Sequence, residues 1–172
     1  TDDHEAIAIA AQLQDAARAA DFRKRSGETA SAYGTRMHDI FQEMTHSLEP
    51  FGPEGRVITE VVVDGKGRLV TFGGSPADAT NYAKVTGDTD VFTADTVILK
   101  KGVDAKKVIV GQKLEDIGLL IVDYKTGDAQ LSGRQKAGAA RVGVPLAKLT
   151  SEGDLVDDVA NVIERSVARK AS

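Results

Sequence analysis

The chain has 172 residues, 41% hydrophobic and 28% charged, with a net charge of −4, a composition that fits one globular domain able to bury a core and excludes low-complexity and disordered architectures. There is no cysteine, which excludes disulfides, thiolate chemistry and sulfur-ligated zinc; with histidine only at positions 4, 38 and 46, a metal site would draw mainly on carboxylates and favour hard ions such as magnesium or manganese. No apolar run approaches the roughly 18 residues a membrane span requires and no basic-then-apolar leader opens the chain, so a soluble domain is expected.

Ala6, Ile9, Ala10, Leu13, Ala17 and Ala20 recur at helical spacing and predict a first helix over 4–25, with Asp2 and Asp3 as possible caps. A Ser/Gly break over 26–34 precedes a second helix over 35–48, with Met37, Ile40, Phe41 and Met44 on one side and His38 and Glu43 riding on it. Pro50, Gly52, Pro53 and Gly55 end it, and 56–63 reads as a strand carrying Glu60. A turn over 64–67 predicts a hairpin into 68–72, followed by a short helix around 77–85 and a strand over 92–100 that carries Asp95. A short strand is expected over 106–112. The segment 117–125 (IGLLIVDYK) has the continuous apolar character of a strand buried on both faces. A helix over 132–142, a strand over 144–149 and a last helix over 154–170 complete the order. The expectation is a single α/β domain over 1–172, a mixed sheet flanked by helices, with an N-terminal helical extension (1–30), a core (34–150) and a C-terminal helix (151–172).

Charge is unevenly spread. Residues 1–99 hold 9 Lys and Arg against 16 Asp and Glu, 100–148 hold 10 against 5, and 149–172 hold 3 against 5. A basic segment beside acidic ones suits a polyanion-binding face next to a carboxylate site, and equally a mixed solvated surface.

The chemistry concentrates in VDYKTG at 122–127. Residues two apart on a strand share a face, so Asp123 and Lys125 emerge side by side at the end of the apolar strand: one to hold a divalent ion, the other to orient water or neutralise phosphate charge. Taken alone, such a DxK is more often a structural ion pair. Asp95, in TADTVI, would converge on the same ion from an adjoining strand, while Asp90, before the apolar run, competes as a turn residue.

GTRMHDIFQ with His38, TADTVI with Asp95, IVDYKTG with Asp123 and Lys125, and LSGRQKAG with Gln135 occur in one order over roughly 34–140. In that order of motifs the chain resembles the PD-(D/E)XK nuclease superfamily, and within it the RecB-like branch. The resemblance implies a restriction-endonuclease-like core in which Asp95 and Asp123 ligate the metal and Lys125 positions or activates water. His38 would complete the metal site or touch substrate, Gln135 would orient substrate or water, and Glu60 would be a further ligand. The chain departs from the pattern in two places: Ala139 and Ala140 stand where a tyrosine often follows the glutamine, and the gap from Glu60 to Asp95 is long. Arg134 and Lys136, with Lys100 and Lys101, are the candidates for gripping phosphates.

The expected function is phosphodiester hydrolysis with Mg2+ or Mn2+, on DNA ahead of RNA such as tRNA. The start at Thr1 reads as a piece of a longer polypeptide. Such a module resembles the toxin domains of bacterial polymorphic or contact-dependent inhibition systems, delivered to a target cytoplasm and neutralised by an immunity protein. A DNA-repair or phage nuclease fragment is the alternative within the enzyme class. Outside it stand an inactive nucleic-acid- or protein-binding module and an interaction domain docking through the Ala-rich first helix.

Overall fold

The computed structural model describes residues 2–19, 25–47, 56–74, 77–125 and 133–150. The predicted helix over 154–170 and residues 126–132 lie outside them.

Five strands, β1 (Val57–Val63), β2 (Leu69–Thr71), β3 (Phe92–Leu99), β4 (Gly118–Lys125) and β5 (Leu146–Thr150), form one sheet in the order β2-β1-β3-β4-β5. The β2–β1, β1–β3 and β3–β4 pairs are antiparallel and β4–β5 is parallel, which makes the sheet mixed. A parallel neighbour requires a crossover, and α5 (Gly133–Val142) lies between β4 and β5 in the chain.

Helices α1 (Asp2–Ala19) and α2 (Ala30–Ser47) cover one face. Ala6, Ile9, Ala10 and Leu13 keep the i, i+3, i+4, i+7 spacing of a buried stripe and pack with Tyr33 and Met37 of α2 against Ile98, Leu120, Val122 and Ala147 of the sheet. The other face carries α5 together with α4 (Leu114–Ile117), a single turn that the sequence pattern did not reveal; Leu114, Ile117, Ala139 and Val142 pack there with Val61, Phe92, Val97 and Ile121. The result is the expected α/β arrangement of a mixed sheet between helices.

Helix α2 starts at Ala30, a turn and more before the expected position, because the Thr29 side chain accepts a hydrogen bond from the Ala32 backbone N–H (3.1 Å) and caps the first turn. The hairpin between β1 and β2 forms as expected: the Asp64 carboxylate accepts from the N–H groups of Lys66 and Arg68, and Gly67 supplies the φ of +80° that the turn needs. Helix α3 (Ala77–Thr86) also matches its expectation.

The strand expected over 106–112 does not form. Residues 105–107 make a 3₁₀ turn capped by Asp104, and the backbone pairing nearby is a single bridge between Arg68 and Lys113. The apolar run misled because only Val108 of it is buried, while Ile109 and Val110 are 63% and 61% exposed. No helix among the described residues is long and apolar enough to cross a membrane.

Candidate metal centre

Three side chains from separate elements meet where β1 and β3 pass beneath α2. Tyr33 and Met37 lie on the buried side of α2, which turns the neighbouring His38 toward the strands. His38 Nε2 lies 3.0 Å from Asp95 Oδ1 and 3.5 Å from Glu60 Oε1, and the ligand atoms of the three residues all fall within 4.8 Å of one another.

The strands kink to bring the two carboxylates there. Thr59 pairs with Thr96 and Val61 with Ala94, so Glu60 stands opposite Asp95. Glu60 is the one described non-glycine residue at positive φ, +49°. Its turn reverses the facing of the strand: Ile58 and Val61, three apart, both enter the α5-side core, whereas an unbroken strand would send them to opposite faces. Ala94 and Val97 show the same reversal around Asp95 on β3. Non-glycine residues held in such conformations concentrate at functional sites, and no periodicity in VITEVVV announces this one.

The β3–β4 ladder ends at Thr96 and Val122, and the next facing pair in that register is Asp95 and Asp123. Here Asp95 takes over the ladder's role with its side chain: Oδ2 accepts the Tyr124 backbone N–H at 2.8 Å. In that register the side chain of Asp123, which is 3% exposed, lies on the neighbouring strand beside Asp95, outside the group of three that meets at His38. Carboxylates crowded in this way repel one another, and a divalent cation would relieve that repulsion. Tyr124 adds an edge-on contact of its ring with His38 at 5.3 Å between centroids, and its hydroxyl lies 2.6 Å from Thr96 Oγ1. Neither Tyr124 nor Thr96 was singled out as a support for the site, although Tyr124 sits inside the DYK motif.

The electrostatics follow from this packing. The hydrogen bond to Asp95 raises the His38 pKa above its ordinary value against the opposing effect of burial. Burial raises Glu60. Burial would also raise Asp95, but the hydrogen bonds from His38 and the Tyr124 N–H prevail and hold its carboxyl below the usual range.

The donor set fits a hard divalent ion. Two ligands each about 2.1 Å from an octahedral ion and at right angles lie about 3 Å apart, close to the His38–Asp95 and His38–Glu60 separations. One imidazole with carboxylates suits Mn2+ as well as Mg2+. Beside the cluster lies a cavity of about 490 Å³, lined by Gly34 and Thr35 of α2, Val62 of β1 and Thr93 of β3 as well as His38, Glu60 and Asp95, room for water and a phosphate group.

The remaining sequence candidates divide. Lys125 ends β4 in register with Thr150, and its side chain lies outside the described residues. Gln135 reaches the rim of the site from α5, its amide 3.5 Å from the Thr93 carbonyl, and Arg134 and Lys136 beside it are exposed. Asp90 lies in the turn before β3, its backbone N–H bonded to Asp88, and does not join the cluster. Lys100 and Lys101 follow the other end of β3, five and six residues beyond Asp95, roughly 16–20 Å away at about 3.3 Å per residue, so any grip they have on a phosphate backbone would be away from the cluster. No family model, characterised protein or solved structure matches this chain.

Proposed function

We propose that the chain is a metal-dependent nuclease that hydrolyses phosphodiester bonds using Mg2+ or Mn2+. The observation that carries this reading is the convergence of His38, Glu60 and Asp95 within 4.8 Å at the mouth of a cavity, with Asp123 opposite Asp95 in the register of the next strand. It is supported by the ordered motifs that resemble the RecB-like nucleases and by the basic 100–148 segment, whose Arg134 and Lys136 are free to meet a phosphate backbone from α5.

In this mechanism His38, Glu60 and Asp95 hold the ion, and Asp123 supports Asp95 or adds a ligand. The bound ion would supply a lowered pKa for water and charge stabilisation on the phosphoryl oxygens. Tyr124 fixes the geometry twice, by its N–H to Asp95 and its ring against His38. Water forms the new P–O bond, the bond to the leaving sugar oxygen breaks, and the proton lost by water passes to a base while the leaving oxygen gains one. Lys125, two residues beyond Asp123, is assigned to the water and the developing charge.

The test is cleavage of plasmid DNA, single-stranded DNA and tRNA in parallel, with Mg2+, Mn2+ and excess EDTA. Cutting is expected with either ion and absent with EDTA. Asp95→Asn should lower the rate by more than about a hundredfold, because even outer-shell partners of a metal cost 10–100-fold. Cleavage by Asp95→Asn at the parent rate would refute the assignment, and protein that shifts nucleic acid but never cuts it with any divalent ion would be a binding module.

A further inference from the structure

The line of charged residues across the sheet continues past Asp123. Asp123 is in register with Lys148 of β5, so Glu60, Asp95, Asp123 and Lys148 stand at one level on four neighbouring strands. Ile121 and Leu146 are also in register and both enter the α5-side core. Asp123 and Lys148, each two residues further on, therefore point to that same side.

Lys148 is only 5% exposed, and with Asp123 it completes the charged residues found buried among those described. Lysine is almost never buried without a compensating charge, and the lone ammonium would be expensive in an apolar layer. The carboxylate in register beside it is Asp123, whose other neighbour is Asp95. The sequence motif did not point here, because Lys148 lies 25 positions beyond Asp123 in an unremarkable LAKLT.

We propose that Lys148 is a positioning residue of the metal centre: on the α5 side of the sheet it fixes the carboxylate of Asp123, and through that neighbour it sets Asp95, whose carboxylate meets His38 and Glu60 on the α2 side. Lys148 closes the row at the end opposite His38, so the crowded carboxylates between them have a positive charge on that side. The role rests on the metal-centre reading above, but its readout is metal binding and does not need turnover.

Mn2+ binding to the full chain is measured by calorimetry for the parent, Lys148→Met, Asp123→Asn and the double variant, with thermal unfolding to confirm folding and cleavage assayed separately. Lys148→Met is expected to weaken Mn2+ binding by about 10–100-fold, the range for outer-shell partners. In the Asp123→Asn background the same substitution should cost less than twofold more, because its effect runs through that carboxylate. Lys148→Gln, which keeps a hydrogen-bond donor, replaces Lys148→Met should the latter not fold, with the same expectation. A folded neutral variant that binds Mn2+ within twofold of the parent overturns the proposal, and so does an undiminished loss in the Asp123→Asn background. A parent that binds Mn2+ but cuts no nucleic acid overturns the nuclease reading, while the binding series still decides the role of Lys148. A parent that binds no Mn2+ overturns both.

Discussion

Glu60 is held against its backbone preference at φ +49°, and its carboxylate is packed near that of Asp95. Both features oppose folding and both serve the cluster with His38. A non-glycine residue in this region costs of order 1 kcal/mol or more, and glycine adopts it freely. Glu60→Gly should therefore leave the metal-free protein as stable as the parent or more stable by about 1 kcal/mol in urea unfolding, while Mn2+ binding falls more than tenfold. Clear destabilisation of the metal-free variant would show that Glu60 is there for folding and not for a ligand. His38 carries a comparable message. A helix-borne histidine in sequence is by default a surface residue, and only its 3.0 Å approach to Asp95 shows its place in the site.

At the scale of the element, α5 sits unusually close to β3. A Cβ on Gly138 would overlap the ring of Phe92, so the helix can take this distance only with glycine at that position. Alanine would gain up to about 1 kcal/mol in helix propensity, but overpacking costs about 1–3 kcal/mol. Gly138→Ala should thus lower the unfolding midpoint, and by lifting α5 it should carry Gln135 away from Thr93 and, on the nuclease reading proposed above, raise KM for nucleic acid more than it lowers kcat. An unchanged midpoint would mean that the helix shifts without cost. The elements themselves were largely legible. Strands β1, β3 and β4 begin and end within about one residue of the sequence expectation, because apolar β-branched runs bounded by turn residues leave little choice. The 106–112 segment was misread because a short apolar run carries no information on whether a partner strand is within reach.

For the whole molecule, the proposed centre would make proton and metal compete for one nitrogen. The His38 pKa is raised in the folded chain above its ordinary 6.5, so the stability that its protonated form contributes is fully present below that value and is lost as pH rises through the raised pKa. Mn2+ needs the neutral imidazole. The metal-free protein should lose this contribution as pH rises through the window above 6.5, while the gain in unfolding midpoint on adding Mn2+ should grow over the same window. With free Mn2+ at a hundred times its dissociation constant the gain corresponds to about 2.7 kcal/mol. Calorimetric scans with and without Mn2+ across that range test it, and His38→Gln should flatten both trends. A gain independent of pH in the parent would remove His38 from the ligand set.

The order of residues along the chain determined the α/β class and the sequence of most elements and pointed to Asp95, which joins the cluster, and to Asp123, which stands beside it, because strand periodicity and a buried apolar run that ends in DYK are local properties of the chain. Tertiary structure decided which side chains meet. The reversal at Glu60, the seating of His38 between two carboxylates and the burial of Lys148 beside Asp123 depend on contacts between strands and helices distant in sequence. Those contacts are set by register and packing, which no single stretch of residues encodes.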